Sequence, residues 1–254
     1  MKLKTAVVLC GGRGTRLGSI GNRLPKTLVK IKGKPIIWYI IKHLQKNSIN
    51  HFILPVGYKG SMIKKYFKDN KEFNRIKIDI IETGKNTSIS KRIFKIKNFI
   101  ESKNFILLNG DAIFMFNIKK FFQNHIKKKN LITFLGCETN LSYGVVGVER
   151  GKVKSFERDK NFFAVKMKSK KDFTGYIYSG ISIMNTTILK NKFKNLYNFE
   201  KQFYPLVIKK YKSGLEIIDG LWYSIDSQKD LDYLTKKTDN FIESKLKLLR
   251  KKLS

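Results

Sequence analysis

Thr5-Ala6-Val7-Val8-Leu9-Cys10-Gly11-Gly12-Arg13-Gly14-Thr15-Arg16-Leu17 is the stretch on which the reading of this chain turns. A short apolar, β-branched run passes straight into a glycine-rich turn. Unbroken apolar character over so few residues suits a strand buried on both faces, as in a parallel sheet. The glycines permit a tight turn that aims several backbone N–H groups into one concavity, a natural cradle for phosphate. Arg16 beside the turn favours an anion site, although a purely structural glycine turn is spelled the same way. Two familiar phosphate loops do not fit. The dinucleotide pattern G-x-G-x-x-G needs glycine where Leu17 stands, and the P-loop pattern fails because Gly33-Lys34 runs into Pro35.

Outward from that stretch the chain alternates in type. Strands are expected over 5–9, 51–55, 77–81, 104–108 and 131–135, and helices over 35–45, 61–67, 89–101 and 118–127. Alternation of this kind predicts an α/β fold, a Rossmann-like and mainly parallel sheet covered by helices. After Gly144 come short strands over 145–148, 153–156 and 176–184, then helices over 200–210 and 228–236. These predict a smaller mixed β/α lobe. No repeat or linker marks a boundary, so residues 1–240 read as one domain. The change of rhythm at Gly144 divides it into halves 1–143 and 144–240, with 241–254 a basic C-terminal helix or tail. Ligands of such sheets sit at the carboxyl ends of the strands.

The 254 residues carry 53 Lys+Arg against 19 Asp+Glu, a formal charge of +34, and 42% are hydrophobic. That composition excludes a disordered or fibrous chain. No apolar run approaches the roughly 18 residues that cross a bilayer, so stable membrane insertion is not expected. Met1-Lys2-Leu3-Lys4 and the apolar run after it imitate a signal peptide, but the run is shorter than the usual h-region and Leu9 is too large for a cleavage site. With only Cys10 and Cys137 as cysteines, a reducing, cytoplasmic setting is expected. The charge could draw a polyanion, yet only 8 of the 53 basic residues are Arg, the residue that reads phosphate and base edges through its fork. Lysines are spread through every segment together with Asn and Ile, the mixture an AT-rich coding sequence yields. Nucleic acid is therefore not expected as a partner. Only 243–253 alternates basic and apolar residues at near-helical spacing, which fits a frayed helix or a contact with an anionic surface.

Further signals follow the glycine turn in order: Leu24-Pro25-Lys26-Thr27-Leu28, then Gly33-Lys34-Pro35. Asn109-Gly110-Asp111 closes the strand over 104–108 and is either a turn or a cation-holding carboxylate at the sheet edge. Asp226 in Trp222-Tyr223-Ser224-Ile225-Asp226 is equally a helix N-cap before Gln228. The histidines His43, His51 and His125 have no metal spacing and read as structural.

The order G-G-x-G-T-R-L, then P-K, then G-K-P resembles the sugar nucleotidyltransferase family, over roughly residues 5–236. Gly57-Tyr58-Lys59, Glu82-Thr83-Gly84 and Lys91-Arg92 look most like its glucose-1-phosphate cytidylyltransferase branch. The resemblance implies a nucleotidyltransferase fold and a Mg²⁺-dependent transfer from CTP to a phosphorylated small-molecule acceptor, with release of pyrophosphate. Asp111 and Asp226 would hold Mg²⁺, and Arg16, Lys26 and Asp111 would be catalytic. Leu9, Gly11, Gly12, Gly14, Thr15, Arg16, Lys26 and Gly110 would line the nucleotide, Thr83 and Gly84 would face the base, and Arg92 would touch phosphate or base. Tyr58, Arg158, Tyr178, Ser179 and Gly180 would line the acceptor, the 1–143 half thus binding nucleotide and the 144–240 half lying on the acceptor side.

Two departures fall on that acceptor side. Arg158, within Ser155-Phe156-Glu157-Arg158-Asp159-Lys160, stands for the Lys of the family's Glu-Lys-Pro, and Tyr178-Ser179-Gly180 replaces its Asn-Gly/Ala-Gly. The departures leave room for an acceptor other than a sugar 1-phosphate, and an overall resemblance to enzymes of capsule phosphoramidate synthesis implies L-glutamine phosphate as the other candidate, either one feeding capsule or surface-polysaccharide synthesis. Thymidylyl or guanylyl transfer stays open, as does a homo-oligomer. The rival from another class is a non-enzymatic binder of nucleic acid or anionic membrane. A nicotinamide dehydrogenase is disfavoured by Leu17.

Overall fold

The computed structural model describes residues 2–140, 145–157, 161–162, 164–166, 174–190, 196, 198–235, 248, 251 and 253. In chain order, the first half supplies β1 (Thr5–Leu9), α1 (Ile36–Lys46), β2 (His51–Val56), α2 (Gly60–Asp69), β3 (Lys77–Glu82), α3 (Ile89–Ile96), β4 (Asn104–Asn109), β5 (Ala112–Phe116) and α4 (Ile118–Lys127). Then follow β6 (Ile132–Gly136), β7 (Val145–Glu149), β8 (Lys152–Glu157), β9 (Tyr178–Asn185), α5 (Tyr204–Lys210), β10 (Ser213–Ile217), β11 (Gly220–Ser224) and α6 (Gln228–Thr235).

One seven-stranded sheet has the order β10-β6-β9-β4-β1-β2-β3. β1 pairs in parallel with β2 and β4, β2 with β3, and β6 with β10, while β9 runs against both β4 and β6. The sheet is therefore mainly parallel, as the alternation of types predicts. Ala6, Val7 and Val8 are fully buried, which a strand covered on both faces requires. α1 is apolar nearly all round because it is enclosed: Ile36, Ile37, Tyr39, Ile40, Ile41 and Leu44 are all buried in the larger of two core clusters.

The second half both extends and leaves this sheet. β9 and β10 lie within it, whereas among the described residues β7 and β8 pair only with each other, as do the short strands Asn161–Phe162 with Thr139–Asn140 and Ala164–Lys166 with Thr174–Tyr176.

Several boundaries differ from expectation for local reasons. The strand expected over 176–184 is interrupted at Ile177, which separates Thr174–Tyr176 from β9, and within β9 Gly180 at φ 77 sits in a register shift between Tyr178 and Ser182. The helix expected over 200–210 opens with a wider π turn, Phe199–Phe203, ahead of α5. Pro205 has no N–H to give an ordinary helical bond there. α3 stops at Ile96 and tightens into a 3₁₀ turn, yet Ile100 stays in the core. Pro35 precedes α1 instead of lying in its first turn, and pairs as part of Lys34–Pro35 with Lys30–Ile31. β5, β10 and β11 carry no clear sequence signal. Of the expected C-terminal tail only Leu248, Lys251 and Leu253 lie among the described residues, and Leu253 is buried.

Candidate active site

The glycine turn leaves β1 at its carboxyl end, where ligands of parallel sheets gather. Gly14 adopts the left-handed conformation, φ 63 and ψ 31, and caps a 3₁₀ turn over Thr15–Leu17. That conformation is one a side chain resists. Leu17 anchors the turn in the core, so Arg16 projects outward with its side chain 75% exposed. Arg13 Nη2 donates to Asn86 Oδ1 at 2.8 Å, linking the glycine turn to the loop after β3.

Leu9 pairs with Asn109 in the β1–β4 ladder, which sets Asn109-Gly110-Asp111 beside the glycine turn. Gly110 permits the approach, since a Cβ there would lie 2.6 Å from the Leu9 carbonyl oxygen and 2.6 Å from Thr27 Cγ2. Asp226 reaches the same place through the antiparallel ladder of β5 and β11. That ladder pairs Ser224 with Ala112 and continues as Ile225 N–H donating to Asp111 O at 2.9 Å. Lys26, in the 3₁₀ turn Lys26–Leu28, closes the cluster. Its ammonium donates to Asp111 Oδ2 at 3.0 Å and to Asp226 Oδ1 at 2.8 Å. Arg16 Nη2 lies 3.3 Å from the same Asp226 oxygen, and Ser224 Oγ donates to Asp226 Oδ2 at 2.9 Å. Partial burial works against ionisation of Asp226. Lys26, Ser224 and Arg16 outweigh it, and hold the carboxyl below its usual value.

The N-cap reading of Asp226 is corrected by its neighbours. Ser227 caps α6: its Oγ accepts from Asp230 N–H at 3.3 Å, and Asp230 Oδ2 accepts from Ser227 N–H at 2.7 Å and from Asp226 N–H at 2.9 Å. This is a capping box with Asp in the acidic position. It leaves the Asp226 carboxylate free to face Lys26. Ser227-x-x-Asp230 is legible in the sequence as that box, and would have found it.

Thr83 and Gly84 follow β3 at the same sheet edge. Thr83 is buried, with its hydroxyl donating to Val56 O at 2.6 Å, so its side chain faces inward; Gly84 turns at φ 101. Arg92 is brought beneath these loops, not onto an open face. It is 4% exposed and gives its hydrogen bonds to protein atoms, Val56 O and Gly11 O at 3.1 Å each among them. Cys10 is a buried thiol pushed up to about 12 by burial, which removes it as a nucleophile.

Of the residues expected to line an acceptor, Tyr58 stands before α2 with the Lys59 ammonium 5.2 Å from its ring centroid, and Lys59 also reaches Asn22 O. The Tyr178 hydroxyl pairs with that of Tyr204 at 2.8 Å, and Ser179 Oγ donates to Leu135 O at 2.7 Å. Gly180 packs against Asn109, 2.6 Å from its amide nitrogen to a Cβ built at the glycine. Trp222 Nε1 donates to Ser179 O at 2.9 Å, which fastens this bulge to β11. Arg158 lies outside the described residues.

Comparison with known proteins bears on this arrangement. The family described as Nucleotidyl transferase matches residues 5–224. The chain belongs to that family. It is 31% identical over 246 residues to the "Probable glucose-1-phosphate cytidylyltransferase" of Bacillus subtilis (strain 168), covering 89% of this chain and 92% of the relative. To the D-glycero-alpha-D-manno-heptose 1-phosphate guanylyltransferase of Campylobacter jejuni it is 33% identical over 227 residues, covering 89% and 96%. Its fold matches that of HddC from Yersinia pseudotuberculosis complexed with GMP-PN, with a TM-score of 0.70 at 24% identity, over 93% of this chain and 100% of the other.

In this nucleotidyltransferase the donor set suits Mg²⁺. That ion is commonly held by one or two carboxylates, with substrate phosphates and water completing the shell. Asp111 and Asp226 face a common point that a cation can occupy, as the Lys26 ammonium between them demonstrates. Among the described residues no cluster of three or more His, Cys, Asp or Glu could hold a metal, and no helix is long and apolar enough to cross a membrane.

Proposed function

We propose that this nucleotidyltransferase moves a nucleoside monophosphate from a nucleoside triphosphate, CTP for preference, to the phosphate of a small-molecule acceptor. The single observation that carries this reading is Lys26 set between Asp111 and Asp226 beside the glycine turn. An acceptor phosphate oxygen attacks the α-phosphorus, the bond from that phosphorus to the β-bridging oxygen breaks, and pyrophosphate departs. The nucleophile is already anionic, so neither a general base nor an enzyme nucleophile is needed. The barrier is the meeting of two polyanions and the charge that builds on the leaving group. Positioning and cations lower it. The Gly11–Gly14 amides and Arg16 receive the β- and γ-phosphates, and Lys26 turns from the carboxylates to the approaching phosphates. Asp111 and Asp226 hold Mg²⁺, which when bound offsets negative charge on the triphosphate and the incoming oxygen. Thr83 and Gly84 flank the base, and Tyr58, Arg158, Tyr178, Ser179 and Gly180 belong to the acceptor side.

Relatives named for glucose 1-phosphate and heptose 1-phosphate favour a sugar 1-phosphate acceptor. A second reading, L-glutamine phosphate in the service of capsule synthesis, is favoured by the Tyr178 and Ser179 hydroxyls. Both are spent on Tyr204 and Leu135, where a sugar-reading site would turn polar groups outward. The deciding experiment is pyrophosphate release with Mg²⁺. It crosses CTP, GTP, UTP, dTTP and ATP with glucose 1-phosphate, heptose 1-phosphate and L-glutamine phosphate. Release with CTP and a sugar 1-phosphate is the expected result. Release with GTP alone would overturn the preference for cytidine, and release with L-glutamine phosphate alone would replace the acceptor. A chain that binds nucleotide in no combination would sink the enzymatic reading.

A further inference from the structure

Arg92 is the residue whose surroundings outrun its expected role. It rises from α3 into the space between three loops, the glycine turn after β1, the end of β2 and the loop after β3. Its Nη1 donates to Val56 O at 3.1 Å and to Thr83 Oγ1; its Nη2 donates to Gly11 O at 3.1 Å and to Lys85 O at 3.4 Å. Three of these acceptors are backbone carbonyls and the fourth a hydroxyl, so the buried guanidinium is held without a carboxylate partner among them. Such a charge is retained at a cost unless its fork is well satisfied. Room has been left for it. A Cβ on Gly11 would strike the guanidinium, and one on Gly57 would come within 2.6 Å of Nη1 and 2.6 Å of the Gly84 carbonyl oxygen.

We propose that Arg92 is a positioning residue: it fixes the spacing of the phosphate-facing and base-facing loops through their backbone carbonyls, without touching the nucleotide. The inference rests on those loops receiving a nucleoside triphosphate, the reading given above. A planar fork can hold two loops at a set separation, whereas the single point charge of a lysine cannot. With the loops preset, nucleotide binding does not have to order them, and the saving appears as affinity.

The test has two readouts. In nucleotide-free protein, Arg92→Ala is expected to speed amide hydrogen exchange over 11–16 and 83–87 together. The expected factor is about tenfold or more, as losing hydrogen bonds to a charged group implies. In pyrophosphate release with the preferred nucleotide, kcat/KM is expected to fall on the order of 10²-fold, carried by KM with kcat nearly kept. Added guanidinium ion is expected to restore KM in Arg92→Ala and to do nothing for wild type. Arg92→Lys keeps the charge and is expected to recover only part of the loss. Should Arg92→Ala fail to fold, Arg92→Lys carries both readouts. Unchanged exchange in either loop, a loss carried by kcat alone, or wild-type KM in Arg92→Lys overturns the proposal. A chain inactive with every nucleotide would overturn the functional reading alone, because the exchange readout needs no substrate.

Discussion

Lys26 balances two carboxylates at 3.0 and 2.8 Å, and Arg16 adds a second, more exposed contact to one of them. Removing one carboxylate therefore leaves the ammonium bound to the other, and removes half of the pair proposed to hold Mg²⁺. Asp111→Ala and Asp226→Ala are each expected to abolish pyrophosphate release with the thermal melt preserved; near-normal turnover in either would discard that residue's assignment. Lys26→Ala is expected to lower kcat/KM on the order of 10²–10³-fold, the cost of losing one preorganised charged contact. These residues were legible as a motif, since G-G-x-G-T-R-L, P-K, G-D and the segment Trp222-Tyr223-Ser224-Ile225-Asp226 fix types at set spacings. Arg92 and Thr83 show where legibility ended. Spacing along a chain says which residues reach one sheet edge but not their depth. A guanidinium that satisfies itself on three backbone carbonyls leaves no mark in the sequence of the loops it holds.

Elements carried the other half of the site, and they were harder to read. The β5–β11 ladder brings Asp111 and Asp226 together across the chain. β5 begins directly after the Asn109-Gly110-Asp111 turn, which marks the end of β4 without saying that a second strand follows, and β10 is a partly exposed edge strand opened by Ser213-Gly214. Strands this short take their conformation from their partners, so local propensity is a poor guide. The parallel core was easier, because continuous apolar runs such as Phe52-Ile53-Leu54 need no partner to be recognised. The capping box at α6 ties element to site. Asp230→Ala removes the acceptor of two N–H groups, one of them that of Asp226. It is expected to cost about 1 kcal/mol, a fall in Tm of roughly 2–4 °C for a chain of this size. Activity is expected to fall further than that stability loss explains, since the Asp226 backbone is freed. A melt and a turnover both equal to wild type would dismiss the coupling.

Across the whole molecule, a charge of +34 acts against compactness, and the core must hold against it. Two histidines make that balance depend on pH. His43, on the enclosed helix α1, bonds through Nε2 to Phe116 O at 3.1 Å, and burial pushes it down to about 4 despite that carbonyl. His125, on α4, sets Nδ1 2.8 Å from Thr133 Oγ1 and is pushed by burial to about 4 as well. In the unfolded chain both titrate near the ordinary value of 6.5. Between pH 6.5 and 4 the unfolded state thus binds more protons than the folded one. Stability is full above that window and is lost as pH falls through it, by about 1.4 kcal/mol per pH unit per histidine. Asp226, Glu72 and Glu216 have carboxyls held below their usual range. Their contributions are lost only at the acid end, which leaves the upper part of the window to the histidines. Denaturant midpoints measured from pH 7.5 to 4.5 should therefore slide downward from about pH 6.5. Enough salt is needed in the series to screen the general repulsion of the lysines. The slope should roughly halve in a folded His125→Asn variant. A midpoint that stays level to pH 4.5 would mean that neither imidazole is held neutral by the fold.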